Sequence, residues 1–548
     1  MIVSSTKPLA LIGALWDPAI GETEKVVLIE NGKIAQLLEG TAAVPPGFTP
    51  IRLPPGTVMF PGLINLHTHT TYNILPIWDS GQVWKNRFQW RNNPAYKQNI
   101  GGLLDYIQKN WQHDPDPHFV AAVAQKATNN TPAETTAAVE TAAAAALAAA
   151  VAQVNLAYAV ISEIQAVAGG TTLIQETANL DQEPAGERSF IIRNTGDQTD
   201  LQIAGTQQVF SVVDFYRPDV LPDGTAGQDT SAWTPVQQQS YTDFVQSVNS
   251  GNVPYYTTLV HLGEGKSGLL KNSTPDPYSQ KEVTLFFQSL ASDIKDNGSL
   301  SKAHLALTHG CGIDPDHQAQ TMTAGAISLI WSPVSNLLLY LDTTDVRKLM
   351  AHGINICLGS DWSPSGSKHV LDEVKFAGFV SDLLGWGLNN KDLFAMATVN
   401  GAKALGVPEA GILRTGGDAD LFVFKKVNPK EEALDALLAG DDSDVEFVMV
   451  NGRIVFGRTA YFQELGVDFQ GFPASEGAGV AQRGVSINSS LSFDLVRSLE
   501  IIDTLFERYC TSVLQQPQMK RTRFLASDDA AYMGKMEALK KKLQSLYL

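Results

Sequence analysis

Between residues 57 and 358 the sequence carries eight short apolar segments, separated by longer stretches with helical patterning. They fall at 57–66, 171–175, 190–193, 209–215, 256–260, 305–308, 327–331 and 354–358. Strands alternating with helices predict an α/β fold with a parallel sheet. Eight is the number that closes a (β/α)8 TIM barrel, so residues 58–405 are expected to form one. Such a barrel ordinarily needs ~250 residues. The surplus predicts insertions, at 72–155 and at 217–250. The first of these is rich in aromatic residues, among them Tyr72, Trp78, Trp84, Phe88, Trp90 and Tyr96. A segment like this after a first barrel strand forms either a lid over a substrate or an ordinary packed insertion.

Several of the predicted strands stop at a polar residue. The first runs into His67-Thr68-His69, and on an extended chain residues i and i+2 point from the same face. Two imidazoles so placed can share one divalent metal. An arbitrary His-X-His pair is more often structural, so the later strand ends matter. His261 follows Thr-Leu-Val, His309 ends Leu-Ala-Leu-Thr-His, and Asp361 ends Leu-Gly-Ser-Asp. Barrel enzymes build their active sites at the C-terminal ends of strands. Further His residues lack this support: His304 sits at the wrong end of its strand, and His352 in Ala-His-Gly reads as a helix cap.

Composition narrows the class without choosing a chemistry. Hydrophobic residues make up 44% and charged residues 18%, as in ordinary globular proteins. A formal charge of −17 opposes binding to nucleic-acid phosphates. The three cysteines, Cys311, Cys357 and Cys510, are too scattered for a disulfide framework or a Cys-X-X-Cys zinc site. The chain starts without a basic region and long apolar run, so no signal peptide is expected and a cytoplasmic location is. No membrane span is expected. The nearest candidate, the Ala-rich 133–152, is broken by Thr and Glu and reads as a surface helix or helical arm.

Residues 1–57 and 406–462 both read as short strands with Asn-Gly turns, at Asn31-Gly32 and Asn451-Gly452. The two ends are expected to pair into one small β-sandwich beside the barrel. Residues 463–548 form a third segment with helices at 490–510 and 529–548. Such a tail packs on its own domain or on a neighbouring subunit, so a homo-oligomer is compatible with the sequence. No chemistry is visible in it.

Pro61-Gly62-Leu63-Ile64-Asn65-Leu66-His67-Thr68-His69 resembles the first-strand signature of the amidohydrolase superfamily. Gly417-Asp418-Ala419-Asp420-Leu421 resembles that family's re-entry into the small domain, so the likeness spans nearly all of 1–460. His261-X-X-Glu264 and Ser335-Asn336 are similar to the cytosine-deaminase and triazine-hydrolase (chlorohydrolase) branch. The resemblance implies metal ligands His67, His69, His261 and Asp361, with zinc the best match to a nitrogen-rich set and iron or manganese as alternatives. Many relatives hold two metals with a carboxylated lysine. No lysine occurs here between Lys126 and Lys266, so one metal is expected unless Glu163, Glu176 or another carboxylate substitutes.

The same resemblance implies a hydrolase in which a metal-bound hydroxide attacks a carbon–nitrogen centre of a small-molecule substrate. Asp361 would take the water proton, His309 would orient the hydroxide, and Glu264 would protonate the leaving side. Glu264 read without the resemblance is a surface carboxylate. Trp78, Trp84, Ser335, Asn336, Trp362 and Lys368 are substrate-contact candidates, with loop capping the competing role for Ser335 and Asn336. Deamination of a nitrogen heterocycle is the leading expectation. Hydrolysis of a cyclic amide or a carbon–halogen bond, and a non-catalytic scaffold, are the alternatives.

Overall fold

The structure, a computed structural model, describes residues 7–78, 80–128, 138–175, 190–195, 207–210, 235, 239, 242, 255–297, 303–407, 409–487 and 493–547. The chain opens with β1 (Leu9–Asp17), β2 (Gly21–Glu30), β3 (Lys33–Glu39), β4 (Thr49–Arg52) and β5 (Thr57–Pro61). β2 and β3 meet at Asn31-Gly32, both with positive φ (52° and 77°), the turn geometry that matches strand twist in a hairpin.

At Gly62 the chain leaves this sheet. A side chain there would collide with Thr172, so only glycine lets the backbone pass so close to its neighbour. β6 (Leu63–Asn65), β7 (Thr171–Ile174) and β8 (Arg193–Asn194) then form a three-stranded parallel sheet in that order. A five-stranded parallel sheet follows, built from β9 (Gln207–Phe210), β10 (Tyr255–Leu262), β11 (Ala303–His309), β12 (Ser328–Trp331) and β13 (Ile356–Leu358). Beyond β6 and β13 the backbones of the first and last strands join. Thr68 bridges Asp361 in parallel, and the Asp361 N–H donates to the His67 carbonyl at 2.8 Å.

Each of the eight predicted strand segments contributes a parallel strand, in chain order. The predicted strand at 57–66 is two strands in two sheets, because a continuously buried apolar run carries no sign of where the chain changes partner. Residues 211–215 of the fourth prediction lie outside the described residues, as does most of the 217–250 insertion.

β14 (Leu421–Lys425), β15 (Val445–Val450), β16 (Arg453–Arg458), β17 (Gln470–Gly471) and β18 (Arg483–Val485) return to the first sheet. The order is β17-β18-β16-β15-β14-β5-β1-β2-β3, with β4 on β1. The two chain ends therefore pair through β5, which lies between β1 and β14. Strands beyond residue 462 extend the same sheet. Asp418 and Asp420 of the Gly-Asp-Ala-Asp motif lock it to the parallel strands, since Arg193 of β8 pairs with Asp420 at 2.6 Å and with Asp418 at 3.4 Å, while Lys33 of β3 pairs with Asp418 at 2.7 Å. Phe60 fills the junction, 5.4 Å from Phe422, 5.6 Å from Phe394 and 6.1 Å from Trp16.

From Ala138 onward the Ala-rich region lies in one helix, Ala138–Ala168, that runs unbroken through the predicted boundary at 155; its first residues, 133–137, lie outside the described residues. Within the predicted 133–152, residues 144–149 are exposed or half-buried, as a surface helix would be, whereas from Val154 onward, past that stretch, the helix is buried throughout. A helix apolar on every side must be covered. Among the described residues Ala144–Ala168 is long and apolar enough to cross a membrane by length and composition, and most of it is buried in this structure. The three cysteines are free and buried. The tail contains helices Leu495–Ser512 and Ala530–Tyr547. The first packs on the 72–155 insertion, where Arg508 pairs with Asp114 at 2.7 Å and the Tyr509 hydroxyl donates to the Gln98 carbonyl at 2.9 Å.

Candidate metal centre

His67 and His69 lie just past β6, where the backbone bonds to 358–361 keep the chain extended. Their rings meet edge to face at 4.8 Å. Gly359 makes this possible, since a side chain there would strike the Cβ of His67. Asp361 sits between the two imidazoles: its Oδ1 is 3.2 Å from His67 Nε2 and 3.6 Å from His69 Nε2. Its Oδ2 faces His309 Nε2 at 3.9 Å. Asp361 and His309 both have left-handed backbones, φ 58° and 65°. Residues other than glycine are uncommon there and cluster at functional sites.

His261, near the end of β10, places its ring 5.6 Å from His67 and 4.5 Å from His309. Glu264 follows three residues later, past the end of β10, with Oε2 3.1 Å from His261 Nε2. The four histidines and two carboxylates that the sequence pointed to thus converge, and all but His69 are at least nine-tenths buried. Ligand atoms of His67, His69 and Asp361 lie within 4.8 Å of one another, and so do those of His67, His261 and His309. Imidazole nitrogens with one carboxylate, drawn together out of water, fit a divalent metal.

Hydrogen bonds assign the ring protons. Asn336 Oδ1 can only accept, so His309 Nδ1 donates to it at 3.0 Å and the Nε2 lone pair faces the centre. Arg87 can only donate, so His261 Nδ1 accepts from it and Nε2 carries the proton toward His309 Nε2, 3.0 Å away. Ligation through His261 Nε2 requires Arg87 to turn off this ring. Arg87 is itself held at 2.6 Å by buried Glu282. Burial holds the His309 imidazole down at about 3, and holds that of His261 far below its ordinary value with help from the Arg87 charge. Burial opposes ionisation of Asp361, but contact with His67 outweighs it and keeps the carboxyl below the ordinary range. Glu264 is pushed up to about 8, first by burial and then by the Asp361 charge, while the Tyr340 hydroxyl donates to its Oε1 at 2.5 Å.

A cavity of about 190 Å³ opens onto this cluster, lined by His69, His261, Glu264 and Asp361 on the floor. Its walls are Tyr72, Arg87, Trp90, Arg91, Tyr96 and Trp362. Trp362 stacks on Trp90 at 5.0 Å and 19°. Of the substrate-contact candidates, Trp362 lines the cavity and the others do not. Trp78 and Trp84 stack on each other at 6.1 Å behind Tyr96. Ser335 bonds Ser365 at 2.9 Å, and Asn336 orients His309. Lys368 pairs with Asp529 of the tail at 2.9 Å. Glu163, the described candidate for a bridging carboxylate, instead accepts the Phe190 and Ile191 N–H groups at 3.0 and 2.8 Å; Glu176 lies outside the described residues.

Sequence reasoning passed over Arg87, Arg91, Tyr340 and the wall position of Trp90. Arg87 and Arg91, four apart, would share a face of any helix there, which was the available signal. Helix Arg87–Asn92 does place both at the cavity. The loop after Asp361 is anchored by Glu373, which accepts the Val334 N–H at 2.9 Å and the Ser367 hydroxyl. Burial pushes the Glu373 carboxyl from 4.5 up to about 8. Between those values the folded chain holds a proton that the unfolded chain has released, so this group's contribution to stability falls as pH rises through them. Glu373→Gln is expected to flatten that part of the decline in melting temperature with pH, read by thermal denaturation across the interval.

Residues 280–455 match the amidohydrolase family. A methylthioadenosine/S-adenosylhomocysteine deaminase of Thermococcus onnurineus is 29% identical over 158 residues, 27% of this chain and 37% of that protein. A 5'-deoxyadenosine deaminase of Methanocaldococcus jannaschii is 32% identical over 152 residues, 26% of this chain and 35% of that protein. The chain thus spans little more than a third of the length of these curated relatives. Among solved structures, a zinc-bound adenosine deaminase from Xanthomonas campestris has a TM-score of 0.50 at 16% identity, covering 92% of this chain and 100% of the other. An atrazine chlorohydrolase mutant from Arthrobacter aurescens, with zinc and atraton, has a TM-score of 0.51 at 15% identity, covering 91% and 100%. At such identities the likeness is one of fold.

Proposed function

We propose, from the premise that residues 280–455 are an amidohydrolase-family segment, that this chain is a metal-dependent hydrolase that deaminates a nitrogen heterocycle. The observation that carries the reading is the convergence of four imidazoles with Asp361 and Glu264 beneath an aromatic-walled cavity, whose floor His69, His261, Glu264 and Asp361 form. The deaminase names of the sequence relatives support the reaction class. In the same reading the eight parallel strands close into a (β/α)8 barrel over 58–405, supported by the Thr68–Asp361 bridge. The segments 1–57 and 406–462 make up the small β-sandwich, and 463–548 is the extension.

His67, His69 and Asp361 hold the metal with His261, one ion per chain and zinc for preference. The chemistry a bound divalent metal supplies is to lower the pKa of a water from ~15.7 towards ~7. Asp361, kept ionised, takes a proton from water on its Oδ2 side. His309 presents an unprotonated Nε2 to the same space and orients that water. Glu264 is held protonated near neutral pH and aimed by Tyr340, and it delivers its proton to the substrate nitrogen. The stacked indoles Trp90 and Trp362 take the ring of the substrate.

Ammonia release from a panel of amino-substituted heterocycles tests the reading. Turnover is expected to vanish on exhaustive chelation and to return with zinc. Release of halide from halogenated rings, or opening of cyclic amides, without any ammonia would assign a different reaction to the same floor. No turnover with any of these and no metal retained would end the proposal.

A further inference from the structure

We propose that Asp529, in the C-terminal extension, is a positioning residue for this site, tying the loop that leaves Asp361 to the loop that leaves His69. The inference rests on the reading that the aromatic-walled cavity receives the substrate. Asp529 is 8% exposed. Its Oδ2 pairs with Lys368 at 2.9 Å and accepts the Thr522 hydroxyl at 2.7 Å and the Arg523 N–H at 3.0 Å. Lys368 closes the loop that begins at Asp361 and Trp362, and its ammonium also donates to the Arg523 carbonyl. Thr522 donates its own N–H to the carbonyl of Ile74 at 3.1 Å, just beyond His69 and Tyr72.

One carboxylate therefore holds the backs of two loops whose front faces meet in the cavity, where Tyr72 lies 5.1 Å from Trp362 at 83°. A second anchor fixes the same segment. Buried Asp442 accepts the Ser527 hydroxyl at 2.7 Å and sits 3.0 Å from His369 Nε2, next to Lys368. Burying an ammonium and a carboxylate together is costly unless their geometry is set. A charged pair is therefore an improbable way to fill space and an effective way to fix a register between segments.

The bland account is that Asp529 only caps helix Ala530–Tyr547, since its Oδ1 accepts the Tyr532 N–H at 3.0 Å. Asparagine caps as well as aspartate does but cannot neutralise Lys368. Asp529→Asn therefore separates the two roles, and the double variant Asp529→Asn with Lys368→Met avoids a stranded buried charge. In both, KM for the best heterocycle of the panel is expected to rise on the order of tenfold with kcat changed less. Bound metal is expected to stay the same. The part of the near-UV circular dichroism that Trp362→Phe removes, the signature of the Trp90–Trp362 stack, is expected to weaken in both. If both variants keep that signal and their KM, and only melting temperature moves, Asp529 is a structural cap and the inference is overturned. The dichroism is read without substrate, so a wild-type protein inactive on every heterocycle would sink the proposed function while the Asp529 test still stood.

Discussion

Asp361→Asn is expected to lower turnover by on the order of a thousandfold, with loss of divalent metal from the purified protein. The side chain keeps its size, so the fold is not what fails. One carboxylate oxygen spans His67 and His69, at 3.2 and 3.6 Å, while the other faces His309 at 3.9 Å. Asparagine removes the negative charge that a cation among neutral imidazoles needs. It also puts an N–H₂ donor where a lone pair pointed. Elemental analysis of the purified variant together with steady-state rates separates the two losses. A variant that kept full turnover would remove Asp361 from the chemistry altogether.

Glu264→Gln is expected to cost ~10²–10⁴ in kcat while leaving metal content and melting temperature close to those of the parent. The carboxyl is buried, and its burial together with the Asp361 charge keeps it protonated up to about pH 8. Glutamine preserves the acceptor for Tyr340 and removes only the acidic proton. The loss is expected to shrink for substrates whose departing group needs no protonation. Equal losses for good and poor leaving groups, or a loss below threefold, would assign Glu264 to binding instead.

The site was legible to different depths. His67, His69, His261, His309 and Asp361 each close a strand-like apolar run, and the sequence order of those runs is their order in the parallel sheets. Local pattern and spacing were enough to gather them. The cavity walls were not legible in this way. Trp78 and Trp90 look alike in the sequence, yet one lies behind Tyr96 and the other faces the cavity. Which indole turns inward depends on how the insertion packs against the tail, through contacts such as Arg508–Asp114 that link residues hundreds of positions apart.

Lys368 shows the same limit from the other side. Its position after Asp361 makes it a substrate-contact candidate, but its ammonium is taken by Asp529, which no short-range pattern could name. Arg87, too, reads as an ordinary helix cation until Glu282 and His261 are found on either side of it.

By itself the amino-acid sequence determined the alternation of strands and helices, the strand-rich character of the two chain ends and the imidazole and carboxylate donors of the floor. These follow from burial periodicity and from residues at strand ends, which are local properties of the chain. Only the tertiary structure decided where the first apolar run changes sheet, which nitrogen of each histidine faces the centre, and which aromatic rings wall the cavity. Those depend on partners brought in from distant segments, and a hydrogen bond or a buried charge pair has no meaning until both of its ends are in place.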